Sequence, residues 1–224
     1  MFRVTVAVTC LLVLVRGGLR AQEFVLEDNL TGTENGIVDS VQSGQASNVQ
    51  RLLPANISWM EKGLWGEFGI LRKIGIASTL TPETRKSELA LRRTMLTAHQ
   101  IGGFVTLGLL GATVYYGQRT LDEGDPRGLR SIHSNLVTAS IITYSLTGLL
   151  AVLSPPPLIR RDEVSTTTIH KLLAWVHFAG MVVTPIIGAS LHNSMSYDQL
   201  VRFHQISGYI TASALAASLI VVTF

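Results

Sequence analysis

Four stretches of this chain, about residues 94–117, 131–153, 172–191 and 200–224, each run for 20 to 25 residues with almost no charge. The only Lys, Arg, Asp or Glu among them is Arg202, close to one end of the fourth. A helix needs ~20 apolar residues to cross the hydrocarbon core of a bilayer, and it satisfies its own backbone hydrogen bonds, as lipid requires. These segments predict an all-α membrane protein with four spans. The connections are short, and Pro155-Pro156-Pro157 stops the second span because proline has no N–H to continue the helical ladder. Consecutive spans then become antiparallel neighbours, giving an up-down-up-down four-helix bundle over residues 81–224.

Composition agrees. Hydrophobic residues make up 47% of the 224 and charged residues 15%, where soluble domains carry ~25% charge. The net charge of +3 does not point to nucleic acid, because the basic residues are not gathered on one face. They flank the apolar segments instead, as Arg85, Lys86, Arg92 and Arg93, then Arg127 and Arg130, then Arg160 and Arg161. Basic side chains meet lipid headgroups at such positions, so the expected partner is membrane lipid.

Ahead of the bundle, residues 1–22 open with Arg3, run through an apolar stretch from Val4 to Val15 and end with Ala21 before Gln22. This resembles a secretory signal peptide, being too short for a permanent span. The one cysteine, Cys10, lies inside it. A mature chain cut after it has no disulfide, no Cys-held zinc or iron–sulfur cluster and no covalent haem site. Residues 23–80 form a short, largely irregular extramembrane segment, rich in Gly, Ser, Asn, Asp and Gln up to about Asn56. The stretch 59–76 differs: Trp59, Leu64, Trp65, Phe68 and Ile70 stand among Lys62, Arg72 and Lys73, a pattern that suits either an amphipathic segment at the bilayer surface or a lid packed on the bundle. Thr81-Pro82-Glu83 spells a helix start, with Thr81 as N-cap and Pro82 at the first helical position.

Each span carries a histidine at or just before its first few residues: His99, His133, His170 and His204, separated by 34, 37 and 34 residues. In an alternating bundle His99 and His170 fall near one face, and His133 and His204 near the other. Polar rings within spans are rare and mark function by default. Two imidazoles from facing helices supply both axial positions of a haem iron, an arrangement that favours electron transfer over oxygen binding. Gly103, Gly208 and Ala174 each lie four residues beyond a histidine on the same helix face and leave room for a porphyrin edge, whereas His133 has Val137 at that offset. The repeated His-Gln-Ile-x-Gly at His99 and His204 is the most specific local signal. The plain structural alternative is that small residues line ordinary helix contacts and each histidine only hydrogen-bonds across the bundle. His177, seven residues after His170, could instead pair with His99, hydrogen-bond a propionate or quinone, or simply pack. His192 falls in the loop before the fourth span.

These residues resemble the cytochrome b-561 group of transmembrane b cytochromes, over about Met95 to Phe224. Thr97-Ala98-His99 with the later Tyr115-Tyr116-Gly117-Gln118-Arg119 looks like that family's first core helix, and Ile132-His133 with Gly148-Leu149-Leu150-Ala151 like its second. Thr168-Ile169-His170-Lys171-Leu172-Leu173 looks like the third, and Phe203-His204-Gln205-Ile206-Ser207-Gly208 like the fourth. The resemblance implies two non-covalent haem b groups, one held by His99 and His170 and one by His133 and His204. It implies electron transfer across the membrane, with a donor and acceptor such as a quinol or a redox protein. The family's two outer helices have no counterpart here, so its substrate-binding residues are not carried over. Competing expectations are a haem-free subunit anchoring a partner, a quinone-linked cytochrome b subunit of a dehydrogenase complex, and a homodimer or complex component. A cleaved signal places residues 23–91 outside a bacterial inner membrane. The charge count runs the other way, with seven basic residues flanking the N-terminal side against four opposite.

Overall fold

The computed structural model describes residues 52–54, 56–125, 128–159, 165–191 and 197–223. The leader over 1–22, most of the polar segment that follows, Arg127, Arg160, Arg161 and His192 lie outside them. The described residues are helical, with no strand among them. In chain order the helices are α1 Trp59–Trp65, α2 Ile70–Lys73, α3 Pro82–Glu123, α4 Leu129–Val152, α5 Thr166–Ser190 and α6 Tyr197–Thr223. The last four are each long and apolar enough to cross a membrane. Their boundaries follow local chemistry. Thr81 Oγ1 accepts the Thr84 N–H at 3.2 Å while Thr84 Oγ1 accepts the Thr81 N–H at 2.9 Å, a reciprocal cap that starts α3 at Pro82. Ser165 and Thr168 cap α5 in the same way, so that helix starts six residues before the expected span and takes His170 well inside it.

The described residues divide into two compact units, those up to Ala98 with those from Leu149 to Ile159, and those from His99 to Gly148 with those from Ser165 onward. In the first unit, the stretch 59–76 is two short helices joined by a turn. The Ser58 side chain accepts the Glu61 N–H and the Glu61 carboxylate accepts the Ser58 N–H, which fixes the start of α1. Gly75 has φ +79°, a left-handed conformation that glycine adopts without strain.

The end of α4 organises this unit. A helix C-terminus leaves carbonyls without intrahelical donors, and the three prolines that follow bring carbonyls but no N–H groups. Cationic side chains fill the need. Arg92 donates to the Pro155 carbonyl at 2.6 Å, and Arg85 to those of Pro156 at 2.6 Å and Pro157 at 3.0 Å. Glu88 holds both Arg85, at 3.0 Å, and Arg72 of α2, at 2.6 Å, and all three side chains are buried. Trp65 of α1 donates its indole N–H to the Leu153 carbonyl at 3.0 Å and is itself buried.

Replacing Glu88 by Gln therefore leaves two buried guanidinium groups without their shared counter-charge. Breaking one side of a buried ion pair costs about 3–5 kcal/mol. The expected outcome is loss of amide hydrogen-exchange protection over residues 56–81, with α5 and α6 unchanged.

Candidate functional site: two histidine pairs anchored to backbone carbonyls

All four expected ligand histidines lie in the second unit. The His99 and His170 ring centroids are 6.1 Å apart with planes at 89°, and those of His133 and His204 are 6.1 Å apart at 79°. The structure thus brings His170, and not His177, to His99. His177 is buried one layer away, with its Nδ1 2.9 Å from the Tyr144 hydroxyl.

Each of the four rings is fixed by the same device. His99 Nδ1 is 2.8 Å from the Thr147 carbonyl, His133 Nδ1 2.9 Å from that of Thr113, and His204 Nδ1 3.0 Å from that of Thr184. His170 Nδ1 stands 3.2 Å from the Ser218 carbonyl and 2.8 Å from the Ser218 hydroxyl. A carbonyl can only accept, so Nδ1 carries the proton and Nε2 keeps its lone pair. Metal-bound histidines are oriented by this kind of bond, which also raises the basicity of the ligating nitrogen.

Two of the four acceptors, those of Thr113 and Thr184, are exposed by missing side chains. In a helix, residue i+4 donates to the carbonyl of residue i, and its side chain crowds that oxygen. Gly117 follows Thr113 by four residues, and Gly188 follows Thr184 by four. A Cβ at Gly117 would stand 2.9 Å from the His133 ring, and one at Gly188 2.9 Å from the His204 ring. Gly103, Gly208 and Ala174 have other surroundings. A Cβ at Gly103 would meet Leu219 at 2.9 Å, one at Gly208 would touch Thr184 at 3.7 Å, and Ala174 is half-buried in α5. Gly117 and Gly188, which meet the histidines, stand outside the expected set of Gly103, Gly208 and Ala174.

A repeat explains the pattern and was the signal available. His170, Thr184, Gly188, His204 and Ser218 each stand 71 residues after His99, Thr113, Gly117, His133 and Thr147. The histidines and their carbonyl partners in α3 and α4 are thus matched at the same spacing in α5 and α6. Within each hairpin the anchors step in opposite senses, since His99 meets Thr147 while Thr113 meets His133. Fourteen residues separate the two levels on every helix, about 21 Å at 1.5 Å per residue.

Halfway between the levels lie Thr106, Ser140, His177 and Thr211, each seven residues from one of the four paired histidines on its own helix and all buried. Small hydroxyl residues let membrane helices approach closely. A Cβ at Gly180 would overlap the Thr211 side chain, which shows how near α5 and α6 come there. The repeat breaks in this region, with His177 where the first hairpin has Thr106 and Tyr144 where the second has Leu215. At the His133 and His204 end, Gln118 next to Gly117 accepts from Gln205 next to His204, at 3.1 Å, and from the Tyr209 hydroxyl at 3.1 Å. This bond ties α3 to α6 beside the pair.

Among the described residues no three or more His, Cys, Asp or Glu gather as a group that could hold a metal ion, and each histidine pair presents two imidazole rings. With metal–imidazole bonds of about 2.0–2.1 Å, and about 1.2 Å from ring nitrogen to centroid, two rings sharing an ion stand about 6.4 Å apart. A direct N–H···N bond of about 2.9 Å would draw them to about 5.3 Å. The observed 6.1 Å falls between these values and within the about 4.5–7 Å of edge-to-face ring packing. No family model, curated protein or solved structure matches this chain.

Gly117→Ala and Gly188→Ala are each expected to lower the thermal unfolding temperature in detergent, because the new methyl displaces a histidine from its carbonyl. Gly111→Ala, where nothing lies within 4 Å of the new Cβ, should be neutral or stabilising by about 0.5–1 kcal/mol, the usual gain of Ala over Gly in a helix.

Proposed function

We propose that this chain is an integral membrane electron carrier of the cytochrome b-561 type, an up-down-up-down bundle holding two haem b groups, one through His99 and His170 and the other through His133 and His204. One observation carries the reading. Two histidine pairs, one at each of two levels, share a 6.1 Å ring separation, and every Nδ1 is committed to a backbone oxygen. Haem iron with two imidazole ligands has both axial sites filled and exchanges single electrons without binding oxygen.

The chain's own residues would do the rest. The carbonyls of Thr113, Thr147 and Thr184 and both oxygens of Ser218 hold the rings in one tautomer, with Nε2 free to ligate. Lipid-facing side chains such as Leu172, Trp175 and Phe203, all exposed, would keep water from the spans. An exposed apolar surface of this extent is a liability in water and the norm in a bilayer. His177 is enclosed and already bonded to Tyr144, which supports an internal role over contact with a quinone. The signal-like leader favours an orientation with the N-terminal segment outside a bacterial inner membrane. A quinol or a redox protein would supply or take the electron.

Purified from haem-replete cells, the protein should show the sharp reduced-minus-oxidised bands of low-spin haem, with about two haems per chain. His133→Ala should bring that to about one, and His177→Phe should leave it at two. A colourless preparation would end the reading. The two sites are not equivalent, because only His170 has a hydroxyl beside its carbonyl partner. Ser218→Ala should therefore shift the midpoint potential of one haem and leave the other in place.

A further inference from the structure

We propose that the α1–α2 segment is a membrane-interface foot, seated among the lipid headgroups at the level where α4 leaves the hydrocarbon. The proposal rests on reading α4 as a span and is independent of haem. Trp65 fixes the level. Its indole N–H bonds the carbonyl of Leu153, one residue past the end of α4, so α1 cannot stand far out in water. The salt bridge from Arg72 to Glu88 holds α2 to the first turns of α3 by a second, buried attachment.

So tethered, the segment turns its large apolar side chains outward. Trp59 is 86% exposed and Phe68 80%, with Ile70, Ile74 and Ile76 also exposed. The surface of α4's last turn, Leu149 and Val152, is exposed as well, so lipid-facing surface and foot adjoin within one compact unit. Neighbouring Lys62 and Lys73 are exposed cations. Aromatic side chains between apolar and charged groups are the residues that settle at the headgroup level. A bilayer interface satisfies both chemistries at once, and the depth fixed by Trp65 is where it lies.

The test uses the three tryptophans, Trp59, Trp65 and Trp175, in the full chain reconstituted into phosphatidylcholine–phosphatidylglycerol nanodiscs. One variant retains only Trp59 (Trp65→Phe with Trp175→Phe). A second retains only Trp175, which is exposed within α5. Trp59 emission should fall by about half with a headgroup nitroxide and respond little to aqueous iodide, as expected for a ring at the interface. Trp175 should respond to bromine on the acyl chains. Because Trp65→Phe removes a buried hydrogen bond, the difference between wild type and Trp59→Phe gives the same reading with Trp65 intact. Quenching of Trp59 by iodide alone would overturn the foot, and so would shielding from both quenchers, which would mean cover by protein. If Trp175 also ignores brominated lipid, the membrane reading falls and the foot with it.

Discussion

The hydrogen bond from a histidine Nδ1 to a main-chain carbonyl on the neighbouring helix is the interaction on which this structure depends. It occurs four times, at Thr147, Thr113, Ser218 and Thr184. In a low-dielectric interior an unpaired imidazole N–H is costly, so each bond pins a ring and also fixes the register of a helix pair. The carbonyl is already engaged in the helix ladder, and its second lone pair is free for the ring. Close approach is then required, and Gly117 and Gly188 permit it at one end.

The duplicated hairpin gives this bond its spatial logic. Each hairpin supplies one histidine to each level, so neither site can form from one hairpin alone. Both levels are completed only by cross-hairpin pairing of His99 with His170 and of His133 with His204. The layer between them is closely packed, polar in its side chains and satisfied locally. Thr106 and Thr211 return their hydroxyls to carbonyls four residues earlier, and the Thr113 hydroxyl bonds the Leu109 carbonyl while lying 3.2 Å from Ser140 Oγ. Such bonds let polar side chains lie at mid-depth without a charge.

The first unit solves a different problem with ordinary electrostatics. Three prolines follow the end of α4 with carbonyls but no N–H groups, and Arg85 and Arg92 from α3 donate to those carbonyls. Glu88 balances Arg85 and carries the tie on to Arg72. One glutamate thus connects a helix terminus, the start of α3 and the short helices before it.

Much of this was written in the sequence. Uncharged runs of span length determine four long helices, since hydrocarbon admits little else, and the Thr81-Pro82 cap and the triple proline set two boundaries by local chemistry alone. The four histidines and their cross-hairpin partners were legible from their recurrence near helix starts. The choice of His170 over His177 was not, because both lie on nearly the same face of α5; in the structure the His170 ring meets His99 while His177 bonds the Tyr144 hydroxyl. The carbonyl anchors and the glycines that expose them were equally hidden, though a 71-residue offset would have aligned them. A backbone oxygen has no residue type, so a sequence can show where a histidine lies along a helix, but only tertiary packing decides which carbonyl it meets.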